Sequence, residues 1–128
     1  MSIKAGAFDI TWDPVSRIAT LTCAPGTSLG GADGVALVAA LKTWVDEDTA
    51  PYAVLVDAAG IGRTEPELRA VVRAFFTAHR ERLRIALYNL TPLLRVTAEM
   101  FRIGARVNLR PFATESDARS WLRENGPT

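Results

Sequence analysis

The residues best placed to do chemistry are Asp57, Gly60, Gly62, Arg63 and Thr64, within Ala53-Val-Leu-Val-Asp-Ala-Ala-Gly-Ile-Gly-Arg-Thr-Glu-Pro-Glu-Leu68. The segment reads as a buried strand ending in Asp57, a glycine loop, and then a helix start. Thr64 and Glu67 have the spacing of a Thr-x-x-Glu capping box, and Pro66 falls in the first turn, where its missing N–H costs nothing. In open α/β sheets, ligands and partners meet the carboxyl ends of parallel strands, so these five residues are the expected partner-binding or switch loop. A phosphate on Thr64 would sit at a helix N-terminus beside Arg63, which stabilises negative charge. The plain role, a cap worth about 1 kcal/mol, accounts for every residue present. Asp57 is expected to hold the loop by accepting backbone N–H bonds; as a general base it has no visible partner.

Other reactive residues stand alone. Gly30-Gly31-Ala-Asp-Gly34 lacks both the G-x-G-x-x-G spacing and a Walker lysine, so it reads as a loop and helix start rather than a phosphate cradle. Cys23 is the single cysteine and His79 the single histidine, which excludes an internal disulfide and leaves no metal set. Cys23 is expected as a small apolar filler, and His79 as a helix-end residue interacting with the dipole. Trp12, Trp44 and Trp121 fall on core-facing positions. No catalytic residue, cofactor or metal is expected, and an enzyme is disfavoured.

The elements that must position these residues follow from periodicity. Ala7–Asp13 alternates with Phe8, Ile10 and Trp12 on one face, and Arg17–Cys23 resumes the alternation after Asp13-Pro14, so the two form an antiparallel hairpin. Ala24–Ala32 has loop chemistry. Asp33 is the expected N-cap of a first helix bearing Leu37, Val38, Leu41, Trp44 and Val45, and Asp46-Glu-Asp48 opposes the dipole at its end. Pro51 ends that helix, and Tyr52–Val56 is a strand covered on both faces. A second helix after Thr64 buries Leu68, Val71, Val72, Phe75 and Phe76, and ends in His79, Arg80 and Arg82. Leu83–Tyr88 is a strand, Thr91-Pro92 opens a third helix, and Gly104 is its expected terminator. Arg106–Phe112 is a final strand in which Pro111 favours an edge. Thr114 caps a last helix over Ser116–Asn125, with Gly126-Pro127 stopping it. The order β-β-α-β-α-β-α-β-α implies an α/β fold with a mostly parallel sheet and the hairpin as an antiparallel edge.

The chain of 128 residues fits one domain spanning 1–128, with a formal charge of +1 that argues against a nucleic-acid partner. Residues before Arg63 carry seven acids, whereas those from Arg63 onward carry twelve arginines against seven acids. No signal peptide or apolar run of the ~20 residues needed to span a bilayer is read, and the lone cysteine suits a reducing cytoplasm.

The third helix is the least ordinary element. Its apolar set, Leu93, Leu94, Val96, Met100, Phe101 and Ile103, is wider than one core stripe requires, and Arg95, Arg102 and Arg106 flank it. Glu99 has the spacing to pair with Arg95 and Arg102. A surface through Leu94, Met100 and Phe101 suits a protein partner, a homodimer contact or a membrane surface, the last being the weaker fit because the arginines are partly neutralised.

Taken together, the hairpin, the strand–helix alternation and the closing Val107-Asn-Leu-Arg-Pro-Phe-Ala-Thr-Glu-Ser-Asp-Ala-Arg-Ser-Trp-Leu122 resemble the anti-sigma-factor antagonist (STAS) superfamily, with its SpoIIAA-like and SEC14-like relatives, over nearly the full length. The resemblance implies a non-enzymatic protein-binding module of bacterial signalling or regulation. In that family a serine, often in Asp-Ser-Ser-Gly, follows the third strand and is phosphorylated to switch the partner. Here that place reads Asp57-Ala-Ala-Gly-Ile-Gly-Arg-Thr64: Asp57 matches, the Asp-Ser-Ser-Gly motif is absent, and Thr64 is the only hydroxyl. The SEC14-like side of the resemblance implies an alternative, a carrier of a small apolar ligand or lipid.

Overall fold

The computed structural model describes residues 2–45 and 49–124. Three strands open the chain: β1 (Ser2–Ala5), β2 (Phe8–Asp13) and β3 (Ile18–Cys23). A short β4 (Thr27–Leu29) precedes α1 (Gly31–Val45), and β5 (Tyr52–Asp57) leads through a 3₁₀ turn (Ala58–Gly60) into β6 (Ile61–Thr64). Then come α2 (Pro66–Ala78), β7 (Leu83–Tyr88), α3 (Pro92–Ala105), β8 (Asn108–Pro111) and α4 (Glu115–Glu124). The main sheet has the order β1-β2-β3-β5-β7-β8, antiparallel through β3 and parallel from β3 onward.

The expected α/β architecture is therefore the observed one, with additions at two places. The hairpin gains β1 as an outer strand, so the antiparallel edge is three strands wide. Ser2-Ile-Lys-Ala5 is too short to display alternation, which is why it could not be read. Ala24–Ala32 and the 58–64 segment are not plain loops: β4 and β6 pair in parallel as a separate two-stranded sheet, with Thr27 opposite Ile61 and Leu29 opposite Thr64.

Strands β3, β5, β7 and β8 succeed one another in one direction across the sheet, so right-handed crossovers place their connecting helices on the same face. Val54, Val56, Ile85 and Leu109 meet α1, α2 and α3 in the main core, together with Leu37, Leu68 and Phe76. Alternate residues point the other way: Ala53, Leu55, Ala86 and Tyr88 form a second core with Ala118 and Leu122 of α4. This two-sided cover accounts for the unbroken burial of Tyr52 to Val56. Trp12 stacks on the partly buried Trp44 at 5.7 Å, and the half-buried Trp121 lies 5.6 Å from Phe112 at the margin of the second core. Pro111 lies on edge strand β8, as its missing N–H requires.

Several helix ends differ from the sequence expectation, each for a local reason. Helix α1 starts at Gly31, so Asp33 is not its N-cap but lies inside the first turn. From there its carboxylate reaches back to accept from Gly30 N at 2.8 Å, and across to Ala7 N at 2.9 Å. Gly104 does not terminate α3, which runs to Ala105 and ends with Arg106 in the left-handed region at φ 55°. Thr91 caps α3 by accepting from Leu94 N at 3.2 Å, and Thr114 caps α4 by accepting from Asp117 N at 3.2 Å, both as expected. His79 closes α2, where its N–H meets the last carbonyls, while its ring stacks on Phe75 and its Nδ1 lies 2.8 Å from Tyr52 Oη. Arg82 serves the neighbouring helix instead, donating to the carbonyl of Val45 at 2.7 Å. The expectations for Asp46–Asp48, Asn125 and Gly126-Pro127 concern residues outside those described.

Candidate functional site

The site lies among β6, α2 and α3, just past the carboxyl end of β7. Thr64 is not the N-cap of α2. That position belongs to Glu65, whose side chain makes no capping bond, and Pro66 occupies N1. The capping box does not form because Thr64 is held in β6, and Glu65 N donates to Leu29 O across the small sheet at 2.9 Å. The Thr64 hydroxyl instead accepts from Arg69 Nη1 at 2.9 Å, and the same nitrogen donates to the Thr64 carbonyl at 2.7 Å. Arg69 is thereby locked at the rim of a cleft.

That cleft holds about 430 Å³ and is lined by Gly62, Arg63 and Thr64 of β6, Arg69 and Arg73 of α2, and Thr91, Leu93, Leu94, Thr97, Met100 and Phe101 of α3. Gly62, Arg63 and Thr64 of the predicted switch loop thus line the same cleft as Leu94, Met100 and Phe101 of the third helix. Adjoining it is an apolar chamber of about 120 Å³, partly open to solvent, which shares Thr64, Arg69, Leu94, Thr97 and Phe101 with the cleft and extends to Leu29, Ile61 and Leu68. Arg73 lies over the Phe101 ring at 5.9 Å, in the space left by Gly104, where a Cβ would stand 3.2 Å from Arg73 Nη2. No carboxylate lines the cleft, and neither Arg63 nor Arg73 forms a salt bridge among the described residues.

The predicted apolar surface is corrected in part. Met100 is 63% exposed, but Leu94 is only 8% exposed and turns inward to the chamber, and Phe101 is half-buried against Phe76. Sequence could not separate them because the apolar set covers too much of the helix circumference. The outward strip is Leu93, Val96, Met100 and Ile103, spaced three and four apart along one face. Glu99 pairs with Arg102 at 2.9 Å beside it.

Asp57 and Gly60 lie outside the cleft. Asp57 accepts from Ala59 N at 3.0 Å, the loop-holding role expected of it, and also from Asn89 Nδ2 at 3.1 Å. Gly60 is packed beneath the backbone of Cys23 and Ala24. Burial pushes the Cys23 thiol up from its ordinary value, which suits a filler rather than a nucleophile. Among the described residues no three His, Cys, Asp or Glu side chains are grouped to hold a metal ion, and no helix is long and apolar enough to cross a membrane.

On the opposite, α4 side of the same strand ends, Tyr88 was not singled out in the sequence. Burial, with Asp57 and Glu115 nearby, raises its phenol from 10.0 to about 12. The raised value means that the folded chain keeps a proton which the unfolded chain gives up. The stability contribution is thus complete below the unfolded value of 10.0 and is lost as pH climbs to about 12. Denaturation across that interval is expected to show a steeper fall for the wild type than for Tyr88→Phe; parallel curves would refute the assignment.

Comparison with known proteins bears on the fold. No family's sequence profile matches the chain, and no curated protein matches it by sequence. The fold is similar to that of a crystal structure, an uncharacterized protein of the DUF3478 family from Shewanella loihica PV-4, described as having a SpoIIAA-like fold. It superposes with a TM-score of 0.69 at 15% identity, covering 95% of this chain and 98% of that one. Identity so low speaks to architecture alone, and the architecture agrees: this chain has a SpoIIAA-like fold.

Proposed function

We propose that this protein is a non-enzymatic, STAS-like binding module of bacterial signalling or regulation, working in the cytoplasm and docking a protein partner on α3 and the adjoining β6 segment. The observation that carries this reading is the strip of Leu93, Val96, Met100 and Ile103, four large apolar side chains exposed on one helix face. Leaving such side chains in water forgoes roughly 25 cal/mol per Å² of burial, so a contiguous strip marks a contact surface. Its Leu93 end follows the carboxyl end of β7, and Leu93 and Met100 share the cleft with Arg63 and Thr64, a region where partners of such sheets dock. The Thr64 hydroxyl is engaged by Arg69, which favours a structural role over a phosphorylation switch.

A photo-crosslinking residue placed at Leu93 in the native host tests this reading, with Val15, exposed far from α3, as the control position. The expected result is a covalent adduct to a second polypeptide from Leu93 and none from Val15. Met100→Glu together with Ile103→Lys should then weaken that complex roughly tenfold or more. Equal labelling at both positions would sink the proposal, and an adduct of twice the chain's own mass would replace the partner with self-association.

A second reading, a carrier for a small apolar ligand, is favoured by the apolar chamber adjoining the α2–α3 cleft. Organic extraction of freshly purified protein should then release a stoichiometric small molecule; a clean extract counts against it.

A further inference from the structure

We infer that the α2–α3 cleft is a binding site for a single-chain amphiphile with an anionic head group, its tail in the chamber and its head on Arg63, Arg69 and Arg73. The inference rests on the carrier reading and adds to it the chemistry of the ligand. Three arginines line one cleft, and no carboxylate is among its described lining residues. An anion entering there meets positive charge and gains charge-assisted hydrogen bonds. Arg69 is preorganised for this role, because Thr64 holds its Nη1 by two bonds while Nε and Nη2 remain to meet a planar carboxylate or a phosphate.

The apolar part of the site is continuous with this head region. Leu94, Thr97 and Phe101 line both the cleft and the chamber, so a chain anchored at the arginines passes Phe101 and ends among Leu29, Ile61 and Leu68. The chamber is small, about 120 Å³, a size suited to the end of one alkyl chain. The ligand proposed is therefore single-chain and fatty-acid-like.

Decanoate and 1-decanol, titrated separately below micelle-forming concentrations and followed by calorimetry, give the test. Decanoate is expected to bind at least about tenfold more tightly than decanol, the scale of a charge-assisted contact. Exposed Arg63 and Arg73 are changed together (Arg63→Ser with Arg73→Met), which leaves Arg69 in place and should weaken decanoate several-fold more than decanol, narrowing that preference. Thr97→Trp, which plugs the passage, should remove binding of both, with its denaturation midpoint confirming that it folds. If decanol binds as well as decanoate and the arginine variant alters neither, the head-group assignment fails while the carrier reading survives. If neither binds, both fall. Binding only to anionic vesicles, with no binding of monomeric decanoate, would replace the internal seat with a membrane contact and overturn the inference.

Discussion

Replacing Gly60 by alanine is expected to cost the fold about 3 kcal/mol or more, at the upper end of what overpacking does. A Cβ at this position would stand 2.0 Å from the carbonyl oxygen of Cys23, 2.8 Å from its carbonyl carbon and 3.0 Å from the oxygen of Ala24. All three are backbone atoms. No side chain can swing aside, so β3 and the 3₁₀ turn that follows β5 must separate, pulling β6 away from β4. Gly26→Ala is the comparison: nothing lies within 4 Å of its added carbon, and the cost there is only that of a left-handed backbone at φ +75°, about 1 kcal/mol. Urea denaturation of both variants checks the prediction, which fails if Gly60→Ala loses no more than Gly26→Ala. Because β6 carries Arg63 and Thr64, the same substitution should disturb the cleft even in material that still folds.

The second large effect runs the other way. Arg84 lies on β7 in the register of Ala86 and Tyr88, facing the second core, and is 7% exposed. Its Nε and Nη2 are buried and find no hydrogen-bond partner among the described residues, and burial holds its guanidinium below the usual value. Unsatisfied buried donors cost about 1–3 kcal/mol, more when charged. Arg84→Met keeps the apolar stem and removes the polar tip, so stability should rise by about 1–3 kcal/mol, seen as a denaturation midpoint several degrees higher. Arg84→Ala, which discards the stem as well, should show little or none of this gain. A midpoint for Arg84→Met below that of the wild type would show that the guanidinium is stabilising where it stands.

Both effects come from contacts between distant parts of the chain. Where structure depends on near neighbours, the sequence was readable. Thr91-Pro92 and Thr114 announced their helices because a cap and its N–H lie three residues apart. Tyr52–Val56 announced a doubly covered strand because burial on both faces leaves no polar alternation to break the run. Asp57 announced the loop it holds because its acceptor role reaches only to Ala59. The same local logic misled at Thr64, where a capping box of correct spacing lost to the pairing of β6 with β4, thirty-odd residues earlier.

The candidate site divides along the same line. Gly62, Arg63, Thr64, Met100 and Phe101 could all be singled out by type and position, but nothing in their spacing says that they line one cleft. Arg69 and Arg73 escaped notice because arginines on a helix normally meet water, and only the packing of α2 beside α3 and β6 sets them at a cleft with apolar lining. Periodicity, caps and turn residues act within a few positions of themselves, and they settle the kinds and order of elements in this chain. Which side of α3 turns inward, and whether the space under it fills completely, depends on the joint packing of β4, β6, α2 and α3. A cavity is the residue of that packing, carried by no single segment.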